Sequence, residues 1–366
     1  GVPYVESSPM SHDDWGNLPN SGNCHISCWK YALFETGGHY ERFREHFEQV
    51  CSFDSEFCIH GPPARRTMEA MLPPDRRWPP DDVWVYRFQR GHGNLPHYRQ
   101  TLMVAGATFG EIDGLAKFVK HGQATHAEHM RAEFESARRD RPNNGGTMMW
   151  MYNDCWPTSN WSIIDYYRRP KPSYYAARRA CAPLLPIVFE RGGQVELFFS
   201  NDARRTCEAQ LAFGRQRLDG ETLWQEQARV TCGGCETVRF HRMPRDEVAG
   251  ESGTYLFIDA VADGNPLPRV TYFPDLWKDV PWPRPNVQVE ILETRQVEGT
   301  CHTAVAVTTD AYARFCHLVV DERLAPWFDD NFFDLCPGGR HVVNVRTSAP
   351  PAAEDIRVGH WWTDWP

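Results

Sequence analysis

The chain has 366 residues, of which 41% are hydrophobic and 24% are charged, a composition typical of a globular protein with two or three domains. Its net charge of −9 argues against nucleic acid or an anionic membrane surface as the main partner. The sequence shows neither an apolar run of membrane-spanning length nor a signal peptide, so we expect no membrane partner and favour a cytoplasmic location with reduced cysteines.

Residues 1–185 alternate strand-like and helical patterns, which predicts βα units. About four such units fit in this region, half of a closed eight-stranded barrel. The expected elements are a strand at Val2–Ser7, a helix at Tyr40–Val50, a strand at Cys51–Ile59, an extended or helical piece at Val83–Phe88, a helix at Gly122–Arg139, a strand at Thr147–Tyr152 and a helix at Ser173–Cys181.

After Pro186 the pattern changes to short alternating strands separated by turn residues, which is typical of β-sandwiches. A proline-rich linker, Lys278–Pro285, divides these strands into two series. The predicted fold class is therefore multidomain, α/β plus all-β. Its predicted domains are a half barrel over residues 1–185 and immunoglobulin-like sandwiches over 186–283 and 284–366.

Two sequence patterns contain residue types that bind metals, but neither indicates a metal site. His126 and His129 lie three residues apart on a predicted helix, which differs from the spacing of zinc proteases and favours a solvated helix face. Cys232 and Cys235 form a C-x-x-C without a second pair of ligands, which favours a turn between strands with free thiols. We expect no metal and no cofactor.

Two strand ends carry candidate chemistry. Glu56 lies near the end of the strand predicted at Cys51–Ile59, where barrel enzymes place catalytic groups, although a carboxylate there can equally cap the next helix. Trp150 and the pair Asn153–Asp154 follow the strand predicted at Thr147–Tyr152. Tryptophan faces stack on sugar rings, but a strand tryptophan is more often part of a core.

Several segments, in order, resemble β-mannosidases of glycoside hydrolase family 2. Ser55-Glu56-Phe57 is similar to their nucleophile motif, with Cys58 in place of glycine. Trp150-x-x-Asn-Asp-x-Trp-Pro157 and the following Ile-Asp165-Tyr-Tyr-x-Arg-Pro are similar to the end of their last barrel strand. Further likenesses are Glu6-Ser-Ser-Pro9 to the fifth strand, Asn23-Cys-His25 to the sixth, and Asp329-Asp-Asn-Phe-Phe-Asp-Leu335 to the last sandwich.

The resemblance implies the C-terminal half of a retaining exo-β-mannosidase, acting on a β-mannoside. Glu56 would be the nucleophile, and Trp150, Asn153 and Asp154 would contribute to the sugar site. His25 and Trp29 would join them from another strand end.

The family's acid/base glutamate follows an asparagine at the end of the fourth barrel strand, and the pair Asn-Glu does not occur in this chain. We therefore expect the N-terminal half to be a separate chain or a lost segment. The alternatives are a non-catalytic carbohydrate-binding or assembly fragment, and a related family 2 activity such as exo-β-glucosaminidase or endo-β-mannosidase.

Overall fold

The computed structural model describes residues 4, 7–10, 22–25, 51–88 and 96–366, and all structural statements below concern these residues. The helix predicted at Tyr40–Val50 lies outside them, as do four of the six residues of the strand predicted at Val2–Ser7. The chain divides into two compact units. The first contains the residues up to 213 together with 225–250 and 256–278, and the second contains 214–224, 251–255 and 279–366.

The described residues form mainly β-sheet. The helices are α1 (Arg65–Met71), α2 (Asp82–Arg87), α3 (His97–Phe109), α4 (Leu115–Arg139), α5 (Pro172–Ala180) and α6 (Arg245–Ala249). The strands up to residue 272 are β1 (Asp54–Phe57), β2 (Thr147–Met149), β3 (Leu184–Arg191), β4 (Gln194–Asn201), β5 (Cys207–Arg217), β6 (Thr222–Cys232), β7 (Glu236–Pro244), β8 (Thr254–Ala262), β9 (Asn265–Pro266) and β10 (Val270–Tyr272). Those that follow are β11 (Val287–Val297), β12 (Thr300–Thr309), β13 (Ala313–Val320), β14 (Trp327–Phe328), β15 (Phe333–Leu335), β16 (Arg340–Thr347) and β17 (Ile356–Gly359).

The ambiguous segment at Val83–Phe88 is helical. Asp81 caps α2, because its side chain accepts hydrogen bonds from the backbone N–H groups of Val83 at 3.0 Å and Trp84 at 3.4 Å. None of the described helices is long and apolar enough to cross a membrane.

The helix predicted at Gly122–Arg139 is confirmed as the C-terminal part of α4, but the solvated face predicted for His126 and His129 is wrong. These side chains are 0% and 6% exposed. The helix contacts both α3 and α5, and its His126 side chain fills the space beside Gly61. A helix covered on several sides buries positions that its sequence alone assigns to solvent.

The cysteines also differ in part from expectation. Cys24 and Cys51 are joined by a disulfide, although reduced thiols are favoured by the sequence, because the segment around Cys24 pairs with the chain at the start of β1. Cys232 and Cys235 are free thiols and flank the turn between β6 and β7, as predicted.

Two sheets, ordered β3-β4-β7 and β10-β8-β5-β6, have most of their residues in the first unit, and β9 pairs with β8. The first series of strands predicted between Pro186 and the linker at Lys278–Pro285 is confirmed by β4 to β8 and β10, while β3 is missed because Pro183 and Pro186 indicate a break. Pro186 is tolerated because β3 is an edge strand, where a missing N–H removes no central ladder bond.

The second unit contains sheets ordered β11-β12-β16-β14 and β15-β13-β17. Alternate residues of β16, such as Val343 and Val345, are fully buried while their neighbours point to solvent. This period of two is typical of a sheet with one face on the core. That core also includes Val305, Val307 and Leu318 from the neighbouring strands.

Candidate active site

Three short parallel segments of the first unit end side by side. Residues 22–25 pair with β1 through a parallel bridge from Cys24 to Asp54, and β1 pairs in parallel with β2. Backbone hydrogen bonds continue to the ends of β1 and β2, where the Trp150 N–H donates to the carbonyl of Phe57 at 2.7 Å. Parallel strands have their carboxyl ends at one edge, so His25, Glu56 and Trp150 lie at the same edge.

The last residue of β1 anchors this edge in the core. Phe57 is fully buried and packs edge-on against Phe134 of α4, with ring centroids 5.2 Å apart. Met130, Ile163 and Ala177 belong to the same buried cluster. Successive strand residues point to opposite faces, so the burial of Phe57 directs Glu56 to the other face of the segment.

Glu56 lies beside His25. The Oε2 atom of Glu56 is 3.8 Å from Nδ1 of His25, and the side chains are 32% and 16% exposed, respectively. This separation is too long for a hydrogen bond. The carboxylate therefore lies near an imidazole and remains partly open to solvent.

Hydroxyl groups fix the other side of the His25 ring. Its Nε2 atom is 3.1 Å from the Ser8 hydroxyl, which donates to the Ser55 hydroxyl at 2.8 Å. Ser55 in turn donates to Oδ1 of Asn23 at 2.8 Å. Because the Ser8 proton is used on Ser55, Nε2 of His25 must carry the hydrogen that it shares with Ser8. The Nδ1 atom then faces Glu56 and attracts it only when the ring is protonated.

The residues after β2 separate into an exposed and a buried group. Trp150 is 47% exposed. Asn153 is also exposed, and its side-chain amide donates to the carbonyl of Asp154 at 3.2 Å. Trp150 and Asn153 can therefore be reached by a ligand. Trp29 lies outside the described residues.

Asp154 is instead interior. Its side chain is 4% exposed, and the Ser162 side chain is its polar neighbour. Burial raises the pKa of Asp154, while the charge of Lys171 opposes that rise. Asp154 therefore lies below the surface of this segment.

A lysine that the sequence reading did not select lies below the same segment. Lys171 is 1% exposed, and its Nζ donates to the carbonyl of Gly61 at 2.8 Å and to that of Asn160 at 3.4 Å. Burial lowers the pKa of Lys171 to about 8, an effect that Asp154 and Asp165 oppose. The only sequence signal is its place directly before Pro172, the first residue of α5, which does not distinguish a buried lysine from an exposed one.

An Ig-fold domain family of mannosidases matches residues 282–363. The β-mannosidase B of Aspergillus terreus is 24% identical in an alignment of 374 positions that covers 96% of this chain and 42% of that protein. The β-mannosidase B of Thermothelomyces thermophilus is also 24% identical, over 88% of this chain and 40% of that protein.

Solved structures show the same fold. A β-D-mannosidase from Dictyoglomus thermophilum superposes with a TM-score of 0.83 at 17% identity, covering 96% of this chain and 42% of that one. An exo-chitosanase from Amycolatopsis orientalis gives a TM-score of 0.66 at 19% identity, covering 86% and 42%.

The fold and these relatives make the chain similar to glycosidases. More specifically, it is similar to β-mannosidases of glycoside hydrolase family 2, as its motifs predict, and it spans about two fifths of the length of the curated relatives that it matches.

Proposed function

We propose that this chain supplies part of the active site of a retaining exo-β-mannosidase, with Glu56 as the nucleophile. The observation that supports this most directly is the position of Glu56 at the end of β1, between His25 and Trp150, in a chain similar to β-mannosidases. In this proposal residues 1–185 are the C-terminal half of a (β/α)₈ barrel, and residues 186–283 and 284–366 are two immunoglobulin-like domains.

The chemistry follows from the retaining mechanism. A carboxylate oxygen of Glu56 forms a bond to C1 of the terminal mannosyl unit, while the bond from C1 to the leaving oxygen breaks and its electron pair stays on that oxygen. Water then attacks C1, its proton passes to a base, and the carboxylate of Glu56 is released. Trp150 and Asn153 would contact the sugar, with Asp154 supporting them from the interior.

A second carboxyl group, about 5–5.5 Å from the first in retaining enzymes, must protonate the leaving oxygen. The sequence contains no Asn-Glu pair to match the family's acid/base residue. We propose that this group comes from the part of the enzyme corresponding to the remainder of the relatives, as a second chain or a preceding segment. Loss of such assistance reduces rates by about 10²–10⁴-fold, so an ordinary β-mannoside would be a poor substrate for this chain alone.

A substrate that needs no leaving-group protonation tests Glu56 directly. We expect 2,4-dinitrophenyl 2-deoxy-2-fluoro-β-D-mannoside to label the chain with one fluoromannosyl group, because dinitrophenolate leaves without a proton. Intact and peptide mass spectrometry should place the label on Glu56. The variant Glu56→Gln should remain unlabelled, whereas the exposed control Glu111→Gln should be labelled like the parent chain.

The outcomes separate the candidate functions. Binding of the mannoside without labelling would favour a non-catalytic carbohydrate-binding role, and the absence of both would refute the assignment to this chain. The structural likeness to an exo-chitosanase favours a glucosamine-configured substrate as the second candidate. A parallel reaction with the corresponding activated β-glucosaminide decides between these two sugars.

A further inference from the structure

The chain between β2 and α5, residues 150–170, forms what we call the return segment. It begins at Trp150, beside the candidate nucleophile, and folds back on itself. The N–H of Ile164 donates to the carbonyl of Tyr152 at 3.0 Å, and the N–H of Asp154 donates to the carbonyl of Ile164 at 3.2 Å. The position of Trp150 therefore depends on how the rest of the segment is held.

The return segment is tied to the loop that follows β1. The N–H of Gly61 donates to the carbonyl of Asn160 at 3.2 Å. A Cβ atom at Gly61 would lie 2.1 Å from Nδ1 of His126, so only glycine fits at this crossing. The two loops that leave the ends of β1 and β2 thus meet closely at Gly61, and beside it the Ser159 hydroxyl lies 3.1 Å from Nε2 of His60.

The Lys171 ammonium group lies at this contact. It donates to the carbonyl of Gly61 in one loop and to that of Asn160 in the other, while the backbone N–H of Lys171 donates to Ile163 at 2.9 Å. One buried side chain therefore bonds both loops. Burying an ammonium group without hydrogen bonds has a large desolvation cost. Loop arrangements that break the hydrogen bonds of Lys171 are therefore strongly disfavoured.

The far end of the return segment is fixed by an independent set of bonds. The Oδ1 atom of Asp165 accepts hydrogen bonds from the N–H groups of Tyr167 at 2.9 Å and Arg169 at 3.0 Å. The other carboxylate oxygen accepts one from the Thr67 hydroxyl of α1. Because this turn is anchored separately, loss of the Lys171 bonds should alter the crossing at Gly61 without releasing the whole segment.

We infer that Lys171 is a positioning residue of the candidate sugar site, which sets the placement of Trp150 relative to Glu56 by joining the two loops at Gly61 and Asn160. The inference takes the proposed sugar site as its premise. The test, however, measures the surroundings of Trp150 directly and needs no sugar. The positioning role of Lys171 and the proposed sugar site can therefore fail independently.

The test uses the full chain labelled with 5-fluorotryptophan, and the ¹⁹F signal of Trp150 is assigned from its loss in Trp150→Phe. In Lys171→Met we expect this signal to shift, while that of Trp282 in the second unit, assigned in the same way, stays in place. The matched control is Lys117→Met, because Lys117 is an exposed α4 lysine whose Nζ bonds Asp113. An unchanged Trp150 signal in folded Lys171→Met would overturn the inference.

The charge of Lys171 provides a second readout. The ionisable groups that act on Lys171 or are acted on by it are Asp154, Asp165, His60 and His126. Burial keeps the pKa values of both histidines well below the ordinary value, so the two rings are neutral near pH 8. The wild-type Trp150 signal should therefore shift with a midpoint near pH 8, where Lys171 loses its proton.

The conservative variant Lys171→Arg keeps the charge and should return the Trp150 signal toward its wild-type position without the transition near pH 8, because arginine stays protonated there. This arm applies even if Lys171→Met does not fold. A wild-type Trp150 signal that is constant from pH 7 to 9, or a transition that persists unchanged in Lys171→Arg, would contradict the assignment.

Discussion

The Nδ1 atom of His25 faces the carboxylate of Glu56 at 3.8 Å, while its Nε2 atom is engaged by the Ser8 hydroxyl. The order of donors from Ser8 to Ser55 to Asn23 leaves Ser8 able only to accept from His25. The neutral ring is therefore the Nε2–H tautomer, and a positive charge on the ring adds its second proton on the side of Glu56. The hydroxyl chain thus holds the first proton of His25 on the Ser8 side of the ring, so that only the second proton, on Nδ1, faces the candidate nucleophile.

The tautomer is directly observable. In ¹⁵N-labelled protein at a pH where the ring is neutral, long-range ¹H–¹⁵N correlation should show a protonated Nε2 and an unprotonated Nδ1 for His25, assigned by loss in His25→Gln. Ser8→Ala removes the hydroxyl oxygen that accepts from Nε2 of His25, and the neutral ring should then be a mixture of the two tautomers. A predominant Nδ1–H form in the parent chain would contradict this donor order.

Gly61 and Gly106 offer a matched pair of substitutions. In Gly61→Ala the new methyl group would clash with the His126 ring, so the free energy of unfolding should fall by about 1–3 kcal/mol or more, as for other overpacked sites. Gly106 lies inside α3 with no atom within 4 Å of its added Cβ, so Gly106→Ala should stabilise by about 0.5–1 kcal/mol. Urea unfolding measures both, and equal effects of the two changes would refute the close contact at Gly61.

Asp154 should make stability depend on pH. Its folded-state pKa is raised by burial above the unfolded value, so the unfolded chain loses this proton first as pH rises. The stability contribution of Asp154 is present below its unfolded pKa and is lost as pH rises through the raised value. The free energy of unfolding of Asp154→Asn minus that of the parent chain should therefore be greater at pH 7 than at pH 4.

Chemical unfolding at both pH values measures this difference, and Asp279→Asn at an exposed position is the control. A benefit of Asp154→Asn that is greater at pH 4 than at pH 7 would show that Asp154 is stabilised as a carboxylate, contrary to the burial seen in the structure.

The sequence predicts much of this fold because its signals are local. Alternation of apolar and polar residues predicts the strands from Val195 onward, and turn residues separate them. Glu56 and Trp150 are selected as site residues by their places at strand ends and by family resemblance. Their roles as nucleophile and sugar contact remain proposals.

The burial of His126, Asp154 and Lys171 depends on tertiary contacts. His126 lies on a helix whose charged residues indicate solvent, yet it is covered by the loop at Gly61. Lys171 is buried because two backbone carbonyls, 110 and 11 residues away in sequence, accept its hydrogens. No spacing rule relates such positions, so only the folded chain identifies them.

The register of β16 gives a prediction about the second unit. Val343 is fully buried in the core with Val305 and Leu318, whereas its neighbour Val342 is 36% exposed. Val343→Ala removes two buried methylene equivalents and leaves a cavity, so it should lower the free energy of unfolding by about 1.5–3 kcal/mol. Val342→Ala makes the same chemical change on the opposite face and should cost less than about 0.5 kcal/mol.

Urea unfolding of the two variants, followed by circular dichroism, compares one strand face with the other. Since the side-chain period of a strand is two, a shift of one residue in the pairing of β16 with β12 would exchange the two effects. A greater loss in Val342→Ala than in Val343→Ala would therefore place β16 in the other register.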